Sequence, residues 1–278
     1  MRSLTEQTIL VTGATDGLGR HLVRELAAAG ATVIAHGRDE AKLQAVRAEV
    51  AAAASGTGSL LTVVADFADL RQVERMAAGC LEGHDRLDVL VNNAGVGFGA
   101  PGAGRELSVD GYELRLAVNY LAGYHLTRRL LPLLVASAPA RIVHVASLGQ
   151  YPIDFADPML EAGYDGVAAY RRSKLAQIMF TFDLAGELLG RGVTANALHP
   201  ATFMDTTMVR QFGGEPMSTV EEGAQATMRL IAGPDLDGVT GRFFNRLVDA
   251  RAFDQAYDDD ARFRLRRLSE DLIGRALA

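Results

Sequence analysis

The residues Thr12-Gly13-Ala14-Thr15-Asp16-Gly17-Leu18-Gly19 stand between the apolar run 8–11 and a helix-like segment that opens at Arg20. Three glycines at a turn from a buried strand into a helix let the backbone reach positive φ, approach a ligand and pack helix on strand without an intervening Cβ. The helix then directs its free N–H groups at an anion. A pyrophosphate fits that description, and a dinucleotide is the expected guest. The spacing is Gly-x3-Gly-x-Gly, and no Gly-Lys-Ser/Thr follows, which argues against a nucleotide-triphosphate loop. A plain tight turn would also use such glycines, so the weight of the motif comes from its surroundings.

Working outward, continuously apolar runs recur at 8–12, 32–35, 60–65, 87–91, 141–146 and 193–198, with a short one at 241–245. Such runs suit strands covered on both faces. Segments with helical periodicity lie between them at 18–29, 39–54, 69–80, 110–137, 168–189 and 218–232. The alternation predicts an α/β chain: one doubly wound domain over 1–278, with about seven strands in a parallel sheet flanked by helices on both faces. Residues 55–59 read as a helix-to-strand loop, 201–218 as a lid, and 251–278 as a polar helical tail that opens near Asp258-Asp259-Asp260.

Composition narrows the function classes. Of 278 residues 49% are hydrophobic, enough for a sizeable core, and 28 Lys+Arg against 34 Asp+Glu leave a net charge of -6 with no basic run. Nothing here attracts nucleic acid or an anionic membrane. One cysteine, Cys80, excludes an internal disulfide framework, and the six histidines show no metal-ligand spacing, so a metal-free cytoplasmic protein is expected. No stretch has the length and apolarity of a membrane span or a signal peptide. Lysine is scarce: only Lys42 and Lys174. Against a background of arginine, a lysine invites a chemical reason.

In such a sheet ligands bind beyond the carboxyl ends of the strands. After the second strand come His36-Gly37-Arg38-Asp39. Asp39 has roughly the spacing of a carboxylate that grips the ribose 2′-hydroxyl of NAD, but directly before Glu40 it reads better as a helix N-cap. Gly37 then occupies the strand end with Arg38 beside it, which suits a 2′-phosphate and favours NADP(H) over NAD(H). Asp16 inside the glycine turn counts the other way. The third strand ends at Asp66-Phe67, a place for contact to adenine or for a capping aspartate. The fourth ends at Asn92-Asn93-Ala94-Gly95, which lets backbone pass close to a ribose or simply makes a turn. Beyond the fifth, at Ser147, come Tyr170 and Lys174 on one helical face. An ammonium near a phenol favours the phenolate and lowers its pKa, making an acid-base group for a substrate oxygen that Ser147 would orient.

In this order and spacing the motifs resemble the short-chain dehydrogenase/reductase family over nearly the whole chain, and with it a Rossmann-like fold. The stretch 170–188, Leu198-His199-Pro200 and the tail with Ser269-Glu270 are most similar to its retinol-dehydrogenase and protochlorophyllide-reductase-like branch, whose members generally use NADPH. The resemblance implies Tyr170 as general acid/base, Ser147 polarising the carbonyl, and Lys174 binding the nicotinamide ribose while lowering the Tyr170 pKa. It also implies that Asn119 holds a water linking Lys174 to solvent. Cofactor contacts are expected from Gly13, Thr15, Gly17, Leu18, Gly19, Arg38, Asp66, Phe67, Asn93, Ala94, Gly95, Tyr170, Lys174 and Pro200. Two departures stand out: Pro200-Ala201 replaces the family's Pro-Gly, and Asp205 stands where a threonine often meets the cofactor, with Thr206 and Thr207 next. Family members often pair through the helices at 110–137 and 168–189, so a homodimer or homotetramer is allowed.

The lid residues Phe203, Met204, Met208, Val209, Phe212 and Met217, with Leu148, Tyr151, Ile153 and Phe155 beside Ser147, predict an apolar small-molecule substrate. The reading is an NADP(H)-dependent oxidoreductase that interconverts a carbonyl and an alcohol. Its alternatives are a cofactor-binding sensor or scaffold without turnover, and a reductase of C=C bonds on the same fold. A serine hydrolase is disfavoured because Val145 stands where the nucleophile elbow needs glycine.

Overall fold

A computed structural model describes residues 1–53 and 58–278. The loop expected at 55–59 and the helix end expected at 54 fall, through residue 57, outside the described residues. Among the described residues eight strands form one sheet: β1 (Thr8–Val11), β2 (Thr32–Gly37), β3 (Ser59–Val64), β4 (Val89–Asn92), β5 (Ala140–Val145), β6 (Val193–His199), β7 (Phe243–Asn245) and β8 (Val248–Ala250). Their order is β3-β2-β1-β4-β5-β6-β7-β8, parallel up to β7, with β8 turning back antiparallel. The sequence predicts seven strands. The eighth is three residues long at the sheet edge, and its exposed Val248 gives no buried apolar run to read.

The helices are α1 (Gly17–Ala28), α2 (Glu40–Ala52), α3 (Leu70–Gly83), α4 (Ala122–Ala136), α5 (Gly166–Glu187), α6 (Thr207–Gln211), α7 (Val220–Ala232) and α8 (Asp259–Leu277). Oxygen-bearing side chains start most of them: Asp16, Asp39, Asp69, Asp165, Thr219 and Asp258 each accept from a first-turn N–H. Asp39 is thereby a cap, as its place before Glu40 predicts.

Two apolar layers fill the space between sheet and helices. On one face Leu22, Leu26, Leu43 and Leu230, from α1, α2 and α7, pack against Ile9, Val11, Val33 and Val91. On the other, Leu70, Val73, Leu126, Leu130, Ile178 and Leu265, from α3, α4, α5 and α8, pack against Leu10, Ile34, Leu90 and Ile142. Adjacent residues of one strand point to opposite faces, so a strand buried on both sides is largely apolar; β1, β4 and β5 are buried along their whole length, and Asn92, Arg141 and His144 within them bond to Thr127, Asp237 and Thr181.

The helix expected over 110–137 starts later. Leu107 and Glu113 form an antiparallel bridge across a turn at Ser108 to Gly111, and a π-helical turn, Leu116–Leu121, leads into α4. From β1 the chain winds outward to β2 and β3, then crosses back to place β4 on the other side of β1. That reversal opens a crevice at the carboxyl ends of β1 and β4.

Candidate active site

The two turns lining this crevice are laced together by side chains. The Thr12 hydroxyl donates to Val91 O (3.2 Å) and accepts from Asn93 N–H (2.9 Å) and Ala94 N–H (3.0 Å). In return the Asn93 amide donates to Thr12 O (2.9 Å) and Gly13 O (3.1 Å). Asn93 therefore shapes the glycine turn with its side chain. Gly13 sits at φ 67°, and a Cβ there would lie 2.7 Å from Ala94 Cα, so no other residue fits. A Cβ at Gly19 would collide with Gly13 O. Leu18 sends its side chain into the core, so only its backbone faces the crevice where a cofactor contact is expected.

The turn passes the test for a pyrophosphate. Asp16 accepts from Gly17 N–H (2.8 Å), and among the described residues no other side chain caps a first-turn N–H of α1. At the adjoining strand end Gly37 is covered by Thr15, whose Cγ2 lies 2.5 Å from where a Cβ would stand. Arg38 is exposed beside it, and Asp39 Oδ1 is engaged with Lys42 N–H (3.1 Å). Asp66 Oδ1 accepts from Ala68 N–H (2.9 Å), and the Phe67 ring is buried against His36. Phe67 thus faces its own core, so its ring is not placed for the side-chain contact to adenine expected at this strand end.

At the ends of β4 and β5 the expected chemical groups converge. Lys174 is buried, and its Nζ donates to Val145 O (2.9 Å) and Gln177 Oε1 (3.0 Å) while lying 5.6 Å from the centre of the Tyr170 ring. Burial pushes its pKa down to about 7. Gly95 lies against both Asn119 and Lys174: a Cβ there would be 3.2 Å from Asn119 Oδ1 and 3.7 Å from Lys174 Nζ. Asn119 Oδ1 accepts from Val96 N–H (2.7 Å), and its Nδ2 donates to Val96 O (3.1 Å) and Ser173 Oγ (3.0 Å). The π-helical turn that carries Asn119 widens the helix at this point, as such turns often do at functional sites. Ser147 Oγ accepts from Gly149 N–H (3.0 Å).

The Tyr170 phenol differs from the expectation. Its pKa is raised: burial dominates, and a hydrogen bond with Ser147 pulls only partly the other way. The Lys174 ammonium points at Val145 O and Gln177, so it does not offset the burial. The phenol is covered by Phe98, whose ring meets it edge-on at 4.5 Å and meets Phe212 at the same distance.

Comparison with known proteins decides the family. The pattern of the family described as short chain dehydrogenase matches residues 7–215. The chain is a short-chain dehydrogenase. Retinol dehydrogenase 14 of Homo sapiens is 38% identical over 295 residues, with 96% of this chain and 86% of that protein covered. Retinol dehydrogenase 13 of Homo sapiens is 35% identical, covering 96% and 85%. These relatives place the dehydrogenase in the retinol dehydrogenase-like branch, and an oxidoreductase of carbonyls and alcohols follows. Among solved structures, an uncharacterized protein from Mycobacterium paratuberculosis superposes with a TM-score of 0.80 at 28% identity, covering 99% of this chain and 96% of that one. The Pseudomonas aeruginosa RhlG/NADP active-site complex gives 0.70 at 28% identity, covering 88% and 97%. A nicotinamide cofactor is the ligand this fold receives.

In this dehydrogenase the lid is closed at its stem by a short ladder: Met217 N–H donates to Phe203 O (2.9 Å) and Asp205 N–H to Ser218 O (3.1 Å). Phe203 holds φ 43°, a left-handed conformation costly for a bulky residue, where the lid departs from the buried Pro200 and Ala201. Thr206, not Asp205, faces the glycine turn, with its Cγ2 2.7 Å from a Cβ placed on Gly17. Asp205 instead pairs with Arg210 (2.6 Å). Three residues escaped the sequence reading: His36, Gln177 and Phe98. Only His36 carried a signal, as a polar residue inside an otherwise apolar strand end. Among the described residues no group of histidines, cysteines and carboxylates could hold a metal, and no helix is long and apolar enough to cross a membrane.

Proposed function

We propose that this dehydrogenase is an NADP(H)-dependent oxidoreductase that interconverts apolar carbonyl compounds and their alcohols, with Tyr170 as general acid/base. The observation that carries the reading is the meeting of Tyr170, Lys174, Ser147 and Asn119 beside the glycine turn at the switch point of the sheet. The cofactor, when bound, supplies the hydride. Gly13, Thr15, Gly17 and the backbone of Leu18 and Gly19 would hold its pyrophosphate, Ala94 and Gly95 would let the ribose lie against backbone, and Pro200 would flank the nicotinamide with Thr206. Lys174 spends two of its three N–H bonds within the chain, and the third remains for a ribose hydroxyl.

Support for NADP(H) comes from the second strand end. Gly37 offers no carboxylate, Asp39 is spent on a helix cap, and the exposed Arg38 stands where a 2′-phosphate would come. Ser147 orients the substrate oxygen, and Tyr170 delivers a proton to it from Oη. The phenol is protonated at neutral pH, so it can give its proton to the substrate oxygen in the reductive direction and take one back in the reverse direction. Phe98 and Phe212 cover the ring and exclude water, and the half-exposed Leu148, Tyr151, Phe203 and Met208 add apolar surface nearby.

A titration with NADPH and with NADH, read by dihydronicotinamide fluorescence, followed by turnover of apolar ketones and aldehydes with the Tyr170→Phe variant, tests this reading. Tighter NADPH binding and loss of turnover at near-constant cofactor affinity are expected. Tighter NADH binding would return the ribose contact to an acid, retained turnover in Tyr170→Phe would remove the proton-donor role, and binding of neither cofactor would sink the enzyme reading.

A further inference from the structure

The glycine turn rests on a histidine that the proposed chemistry does not use. His36, 3% exposed, lies one residue before the end of β2. Its Nδ1 accepts from Gly13 N–H (3.2 Å), its backbone oxygen accepts from Ala14 N–H (2.7 Å), and its Nε2 lies 3.0 Å from Ala65 O. An imidazole that accepts at Nδ1 and faces a carbonyl with Nε2 is neutral and carries its proton on Nε2. The Phe67 ring stacks on it at 4.2 Å, with 20° between the planes. Burial pushes its pKa down to about 4, against the opposing pull of Ala65 O and the Asp66 carboxylate. One ring thus ties the β1 turn to the ends of β2 and β3.

The consequence falls on Gly13. Its positive φ sets the direction in which the following N–H groups point, and glycine alone places almost no restraint on that angle. Without an acceptor at Nδ1, the Gly13 N–H loses its partner and the turn samples other shapes. A ligand must then reorder it on binding. We propose that His36, in its Nε2-protonated form, is a positioning residue for the dinucleotide, holding the glycine turn through Gly13 N–H in the shape that receives the pyrophosphate. The role rests on the reading that this turn binds a dinucleotide.

Calorimetric titration of the full chain with NADP⁺ near neutral pH, for the wild type, His36→Asn and His36→Gln, separates the two bonds of the ring. Asparagine places an acceptor where Nδ1 sits, and glutamine places a donor where Nε2 sits. Affinity in His36→Asn is expected to stay within about three-fold of the wild type, and in His36→Gln to fall about ten-fold or more, the scale of one lost interior hydrogen bond. A merely structural histidine would instead make affinity follow thermal stability in both variants. Wild-type affinity in His36→Gln, or equal losses in the two variants, would overturn the role. Absence of NADP⁺ and NADPH binding by the wild type would overturn the dinucleotide reading first. A measurement on the wild type needs no variant to fold: in nitrogen-15-labelled protein, a coupling across the hydrogen bond from Gly13 N to His36 Nδ1 is expected, and a protonated Nδ1 would refute the proposal.

Discussion

Lys174 shows what a charged residue buried at the candidate site costs the fold. Its ammonium is buried with only a backbone carbonyl and an amide for company, and its pKa falls to about 7 against about 10.4 in an unfolded chain. Between those values the folded state binds fewer protons than the unfolded one, so stability rises with pH across that window. Below it both states hold the proton, and the full desolvation cost remains. Lys174→Met is therefore expected to unfold at higher urea than the wild type at pH near 7, with a gain that shrinks steadily toward pH 10. A gain that grows with pH, or a loss at neutral pH, would contradict the assigned cause. The scarcity of lysine made this residue legible, because arginine fills nearly every other cationic position. Gln177, which takes one of its N–H bonds, was not legible: a glutamine on a helix looks the same in sequence whether it faces solvent or an ammonium. His36 and Gly13 are far apart in the chain, and only the pairing of β1 with β2 brings them together.

The segment between β4 and α4 shows the same division among elements. Periodicity alone extends the helix back to residue 110, but the chain there forms a bridged turn and then the π-helical turn that delivers Asn119. Its polar residues belong to a buried ionic group that no spacing rule announces. The Arg115 guanidinium, 3% exposed, lies 2.9 Å from Glu106 and 3.5 Å from Glu113, and its Nε donates to Gly97 O (3.1 Å). Glu113, 2% exposed, also accepts from Tyr164 OH (3.1 Å) and Leu116 N–H (2.8 Å). Gly97 and Gly99 flank Phe98, so Arg115 holds the backbone that sets this ring against Tyr170. Removing one partner leaves a buried charge, which costs about 3–5 kcal/mol, whereas replacing both by neutral groups is far milder. Arg115→Met is thus expected to lose stability on that scale in urea unfolding, and Glu113→Gln added to it should restore a large part. An additive double variant would show that the two charges do not compensate each other.

At the scale of the whole molecule, the alternation of apolar runs and helices in the sequence names the architecture, but it is silent on what covers the outer helices. The tail beyond residue 251 reads as polar because arginine and aspartate crowd it. Inside α8, however, Ala261, Leu265, Ser269, Leu272 and Ile273 are buried, spaced as one helical stripe. That stripe closes the groove between α4 and α5, where Tyr120, Tyr124, Met179 and Phe180 lie beneath Leu265 and Arg266. Tyr120 OH bonds Ser269 Oγ (2.8 Å), Tyr112 OH donates to Leu272 O (2.8 Å), and Arg266 pairs with Asp183 (2.5 Å). The segments 110–137 and 168–189, where pairing with a second copy is expected, are therefore partly covered by the chain itself. Truncation after Asp258 would bare this groove, with two tyrosines and a phenylalanine among its walls, a surface that favours self-association. The truncated chain is expected to melt at lower temperature and to sediment as larger species than the full chain does. Unchanged sedimentation together with an unchanged melting temperature would mean that α8 covers nothing the fold depends on.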